Sequence, residues 1–282
     1  MDVADDGLFC GQPVGTWADE KHDRVSYYAK LFSTGMKAKW DERIYIELYA
    51  GAGYSKIRDT ARIIAGSPIR ALSLEHPFDK YIFCEKGAEE LEALRARVNR
   101  TAPSARVAFI HGDCNERVDD ILAEIPAHGP SHRVLSLCFV DPYDIGIKFE
   151  TLRRLSAKFM DFLVLLALYM DANRNYERYV SEDALKVDEF VGSATWRERW
   201  RVAQQNAMTF PKFLAEEYAR SMATLRYIPP ASYEMLMVRS DEKNLPLYRL
   251  ALFSRNPLAY NFWNEVRKYR TGQMLLGDGS WQ

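Results

Sequence analysis

The sequence predicts an α/β fold built on a mostly parallel sheet with helices on both faces. Three observations predict it. Four short apolar runs, at residues 43–48, 80–85, 106–113 and 134–143, read as buried strands, each carrying an acid at its end: Glu47, Glu85, Asp113 and Asp141. Helical periodicity fills the gaps, with Leu91 and Leu94 in 87–99 and Val118, Ile121, Leu122 and Ile125 in 114–125. A Gly51-x-Gly53 loop follows the first run. Strand and helix alternating in this way give a parallel sheet whose ligands bind at the carboxyl ends of the strands.

The elements follow in order. Residues 1–17, with Gly7, Gly11, Pro13 and Gly15, read as irregular. Residues 18–36 read as a helix with Val25, Tyr28, Leu31 and Phe32 on one face. After the first strand, residues 54–66 are expected to form a loop or short helix over the pocket. A helix then starts with Ser67 as N-cap and Pro68 at its first position. Past the fourth strand come a helix at 148–158 and a fifth strand at 161–168. Residues 170–230 are polar, helical and rich in Tyr, Trp and Arg, too long for a simple crossover, and are expected to be a helical insertion. Residues 232–239 and 247–254 read as two strands joined by a polar turn at 241–244, an antiparallel hairpin that completes a seven-stranded sheet. The last periodic segment, 258–269, reads as an amphipathic helix.

Composition narrows the function. With 282 residues and 48% hydrophobic content, a single domain over 1–282 with the insertion inside it is expected. The net charge of −1 excludes an overall basic field, so any contact with nucleic acid must come from a local patch. Cys10, Cys84, Cys114 and Cys138 form no Cys-x-x-Cys pair, so no metal site is expected. Cys84 and Cys138 lie within strands and read as small buried hydrophobes. With no signal peptide and no apolar run of about 18 residues, a soluble cytoplasmic protein without membrane contact is expected.

On these residues the chain resembles class I methyltransferases that use S-adenosylmethionine (SAM), a Rossmann-like fold closed by an antiparallel hairpin. More narrowly, it resembles the bacterial three-Cys-motif partner (TcmP) family. The matching residues are Lys21-His22 before an aromatic helix (Tyr27, Tyr28, Phe32), Glu47-x-x-Ala50-Gly51-x-Gly53, Gly66-Ser67-Pro68, Phe83-x-Glu85, Gly112-Asp113, Asp141-Pro142-Tyr143 and the 257–263 stretch. The resemblance implies SAM as cofactor and, as partner, a three-cysteine protein that looks like a radical-SAM enzyme.

The resemblance also implies roles, each with a plainer alternative. Glu47 with Ala50, Gly51 and Gly53 would hold the amino-acid end of SAM; otherwise this is a strand-end turn with a solvated glutamate. Glu85 would accept from the ribose hydroxyls, or simply favour a helix N-terminus. Asp113 would bond the adenine amino group with Cys114 beside the ring, or cap a helix. Asp141-Pro142-Tyr143 resembles the Asp/Asn-Pro-Pro-Tyr/Phe loop of amino methyltransferases with one proline missing. There an acid and a carbonyl orient the target amine and an aromatic ring stacks on it; the alternative is a strand-ending turn. Trp196, Arg197 and Arg201 interleave aromatic and basic groups, as single-stranded nucleic acid requires, or bury tryptophan and solvate arginine on a surface helix. Two functions follow: a methyltransferase-like enzyme, with a nucleic-acid amine as candidate acceptor, or a non-catalytic module serving the three-cysteine partner. A nicotinamide oxidoreductase is a third reading, against which the hairpin argues.

Overall fold

The computed structural model describes residues 1–240 and 243–269. A two-residue strand, β1 (Asp2–Val3), precedes α1 (Trp17–Met36), which buries Ala18, Val25, Tyr28, Ala29, Phe32 and Met36. Asp19 and Glu20 in its first turn match the positive end of the helix dipole. Next comes β2 (Glu42–Glu47), buried at every position, as a strand covered on both faces must be. Two three-residue strands, β3 (Tyr54–Lys56) and β4 (Ile63–Ala65), lead to α2 (Ser67–Leu72). Alternation then runs as expected: β5 (Lys80–Glu85), α3 (Ala88–Thr101), β6 (Val107–His111), α4 (Val118–Glu124), β7 (Val134–Val140), α5 (Phe149–Leu155) and β8 (Met160–Leu166).

The 170–230 segment is helical. A π-helical turn (Leu168–Ala172) opens it, followed by α6 (Tyr176–Val180), α7 (Lys186–Val191), α8 (Trp196–Gln205) and α9 (Phe210–Thr224). The hairpin is β9 (Leu236–Arg239) and β10 (Pro246–Phe253), and α10 (Pro257–Lys268) closes the described chain. Asp241 and Glu242 of the expected turn lie outside the described residues, as do 270–282.

The main sheet has the order β6-β5-β2-β7-β8-β10-β9. β2 pairs in parallel with β5 and β7, β5 with β6, and β7 with β8, while β10 runs antiparallel to β8 and β9. This is the Rossmann-like class I methyltransferase fold, seven strands with a C-terminal antiparallel hairpin. Period-two alternation splits the core between the faces. Ile44, Ile46, Ile82, Cys84 and Cys138 meet α4, α5 and the insertion on one side. Tyr45, Tyr81, Phe83, Leu137 and Phe139 meet α1, α2, α3 and α10 on the other. The order reverses at β2, between β5 and β7, so the loops after these strands border one crevice.

Three expectations need correction. Residues 54–66 are not a loop or short helix over the pocket; β3 and β4 join β1 in a small antiparallel sheet of order β1-β4-β3, which also gives part of residues 1–17 regular structure. Strands of two or three residues are too short for alternation to show. Ser67 is not the N-cap of α2: Gly66 holds that place, extended, and the Ser67 hydroxyl is turned to Glu47. The helix expected from residue 114 starts at Val118, because Asp113 and Asn115 first form a turn.

Candidate active site

A cleft of about 690 Å³ opens at the carboxyl ends of β2, β5, β6 and β7. The glycine loop makes one wall. Gly51 and Gly53 both have positive φ, +61° and +84°, which favours glycine. Their surroundings differ. A Cβ on Gly51 would meet nothing within 4 Å, whereas one on Gly53 would lie 2.8 Å from Leu94 and 3.2 Å from Ile69. Gly53 therefore lets α2 and α3 pack tightly, and Gly51 leaves main chain open to a ligand. Glu85 ties the loop down: its carboxylate accepts from the Gly51 N–H at 2.7 Å and the Gly87 N–H at 2.9 Å.

Behind this wall lies Glu47, 1% exposed. It accepts from the Tyr45 hydroxyl at 2.7 Å and the Ser67 hydroxyl at 2.9 Å. Burial raises its carboxyl to about 8 against these two hydrogen bonds, with Asp141 adding to the rise and Lys21 opposing it. Glu47 is thus protonated near neutral pH and does not itself line the cleft, whereas Ala50 and Ser67 do. Asp113 lines it and accepts from the Asn115 N–H at 3.0 Å and from Lys86 at 3.3 Å. Burial opposes ionisation there, but these partners outweigh it and hold the carboxyl below its usual range. Cys114 is buried beneath, beside the Tyr49 hydroxyl; burial lifts its thiol to about 12, so it is inert.

The opposite wall is the loop after β7. Asp141 is bonded to the Lys21 ammonium of α1, with side chains 15% and 7% exposed. Pro142 is buried and Tyr143 is 77% exposed at the mouth, free to stack on an incoming group. Asp171 of the π-helical turn braces this loop: it accepts from the Ile145 N–H at 2.9 Å and from Asn175 and Tyr179 at 2.8 Å each. Two reciprocal ion pairs join loop and insertion across the rim, Lys186–Asp144 at 2.6 Å and Lys148–Glu189 at 2.8 Å. Six carboxylates and four ammonium groups line the cleft, a net negative charge.

The insertion reaches the cleft through α7 rather than through the Trp–Arg stretch. Trp196 is fully buried and donates to Asp188 at 2.7 Å, closing it to a base. Arg197 pairs with Asp188 and bonds the Ser181 and Ala184 carbonyls. Arg201 alone stays open, 64% exposed and 3.8 Å from Glu182. Of the two readings of this stretch, Trp196 and Arg197 follow the packed helix rather than the nucleic-acid face, with Phe210 and Phe213 of α9 packing on the indole. Sequence reading missed Lys186, Glu189 and Asp171 as site residues, because nothing in their spacing links them to a strand end. Lys21 was visible only as part of a family motif.

No family model matches the sequence, and no curated protein matches it. Among solved structures, protein LPL1258 from Legionella pneumophila is 13% identical over 87% of this chain and 88% of that one, at a TM-score of 0.50. Trm1 from Pyrococcus horikoshii, solved with S-adenosyl-L-methionine, is 10% identical over 94% of this chain and 64% of its own, at 0.47. Geranyl diphosphate methyltransferase, solved in complex with SAM, is 11% identical over 87% and 93%, at 0.42. At these identities the likeness concerns the fold alone.

Proposed function

We propose that this protein binds SAM in the cleft and transfers its methyl group to an amine held at Asp141-Pro142-Tyr143. The observation that carries the reading is Gly51: left-handed main chain with empty space above it, at the switch point of the sheet. The residues fit the cofactor. Glu85 suits ribose hydroxyls and Asp113 an adenine amino group, while Ala50, Gly51 and Gly53 leave room for the amino-acid end. Glu47, Tyr45 and Ser67 brace that end from behind, and Cys114 supports the floor near Asp113. Bound there, the cofactor would supply a methyl group on a sulfonium cation, and a net negative cleft suits a cation. The same charge opposes a polyanion, which favours the amine of a small molecule or a protein over one in nucleic acid.

A second reading has its own observation. Asp141 is already bonded to Lys21, which favours a module that holds SAM without transferring its methyl group and serves a three-cysteine radical-SAM-like partner, as the TcmP resemblance implies. Radiolabelled-methyl transfer to cellular protein, small-molecule and nucleic-acid fractions, with and without such a partner, separates the two. In the enzyme reading, label moves and Asp141→Asn lowers transfer while keeping affinity for S-adenosylhomocysteine, since orientation counts most in the transition state. A protein that binds SAM and moves no label in any fraction supports the module.

A further inference from the structure

Arg97 of α3 is fully buried, yet it does not line the cleft. All five of its N–H groups are used. Nε and Nη2 grip the Asp6 carboxylate at 3.0 and 2.7 Å, and Nη2 also donates to the Leu8 carbonyl at 3.1 Å. Nη1 donates to the Phe9 carbonyl at 2.7 Å and to the Ala52 carbonyl at 2.7 Å. The guanidinium lies 4.3 Å from the centre of the Tyr54 ring. One buried cation thus ties residues 6–9 to the middle of the glycine loop. The Asp6 side chain is 8% exposed, and the guanidinium holds its carboxyl well below the usual range, so the pair stays charged. Burying a charge is costly unless its donors find partners, and here every donor does.

The Ala52–Gly53 peptide is trans, so its N–H points opposite to its C=O. With the carbonyl drawn to Arg97, the Gly53 N–H is turned towards the side on which Gly51, Ala52 and Gly53 line the cleft. A cation at the carbonyl end polarises the peptide and strengthens its N–H as a donor. The cleft is net negative, so a carboxylate entering it needs such a donor at close range. We propose that Arg97 is a positioning residue: through the Ala52–Gly53 peptide it aims the Gly53 N–H at the carboxylate of the ligand's amino-acid end. This rests on the SAM reading and adds what recognises the carboxylate there. Asp6 acts one step further back, holding the guanidinium on the Ala52 carbonyl.

Decarboxylated S-adenosylmethionine tests this without turnover, because it differs from SAM in lacking only the carboxylate. In calorimetric titration, wild-type protein should bind SAM roughly 10-fold or more tightly than the decarboxylated form, the worth of one hydrogen bond to a charged group. Arg97→Met should erase that preference and leave the affinity for the decarboxylated form within about threefold, a margin smaller than one such bond. Loss of both affinities in a folded variant would instead mark Arg97 as structural alone and overturn the assignment. Arg97→Lys, which can still donate to the Ala52 carbonyl, should restore part of the preference. Asp6→Asn should lower the preference in the same direction, and it serves if neither Arg97 variant folds. A preference unchanged in the folded variants, or wild-type protein binding both forms alike, overturns the Arg97 assignment alone. Failure of the wild-type protein to bind either form overturns the SAM reading, and the assignment with it.

Discussion

The two walls of the cleft are held in different ways. On the cofactor side, main chain does the work: positive-φ glycines, Glu85 accepting from two backbone N–H groups, and a sealed Glu47 behind them. On the acceptor side, charged side chains hold one another: Lys21 with Asp141, Lys186 with Asp144, Lys148 with Glu189. Main-chain geometry stays set whether or not a ligand is present. Lys186–Asp144 and Lys148–Glu189 are half exposed, and such pairs contribute only about 0–1 kcal/mol each and exchange partners at little cost, whereas Lys21–Asp141 is largely buried. The proposed cofactor wall is thus preorganised and only the rim of the proposed acceptor wall is free to rearrange, which suits the proposed pairing of one constant ligand with a second group that must enter and leave.

The sharpest way to break this contrast is to disturb the main chain of the cofactor wall. Gly53→Val places a branched side chain at positive φ against Leu94 and Ile69. Strain and overpacking should together lower stability by roughly 3–5 kcal/mol in urea denaturation. A loss under about 1 kcal/mol would mean the loop can yield, and the wall is not preorganised.

Glu47 gives the next effect. Its carboxyl titrates near 8 in the folded chain and near the ordinary 4.5 when unfolded, so across that window the folded state holds the extra proton. Its favourable contribution is complete below about 4.5 and is lost as pH climbs towards about 8. Asp161, which burial lifts to about 7 against a hydrogen bond from Ser254, acts in the same direction. Urea midpoints measured between about pH 5 and about pH 8 should therefore fall, and Glu47→Gln should flatten the decline. A slope that survives both Glu47→Gln and Asp161→Asn would remove these acids as its source.

The smallest effect concerns binding. Glu85→Ala should weaken S-adenosylhomocysteine binding by about 1.5–3 kcal/mol, the range for hydrogen bonds to a charged group. A cofactor complex with Glu85 turned to solvent would refute the ribose assignment.

The legibility of the sequence follows the same division. The five parallel strands, the hairpin and the strand-end acids could be read because buried strands have uninterrupted apolar runs that stop where the ligand side begins. The small β1-β4-β3 sheet could not, since two or three residues carry no period. The acceptor wall was legible only at Asp141-Pro142-Tyr143. Its partners Lys21, Asp171 and Lys186 come from α1 and from the insertion, and long-range ion pairs leave no local pattern. Trp196-x-x-x-Trp200 shows the converse, an ambiguity that only packing resolves: aromatic and basic residues interleave for nucleic acid and for a packed amphipathic helix alike, and α8 buries both indoles.

The central claim is that open main chain at Gly51 receives SAM, and one calorimetric titration addresses it directly. Wild-type protein and Gly51→Ala are each titrated with SAM, S-adenosylhomocysteine and NAD. The alanine methyl would stand in space that the protein leaves empty, so the fold should lose only the roughly 1–2 kcal/mol of a left-handed residue. Wild-type protein should bind both adenosyl-sulfur ligands and not NAD, and Gly51→Ala should lose at least about 10-fold in affinity for them, a loss of about 1.4 kcal/mol or more. Wild-type binding of NAD in their place, or a Gly51→Ala affinity equal to wild type, would contradict the account.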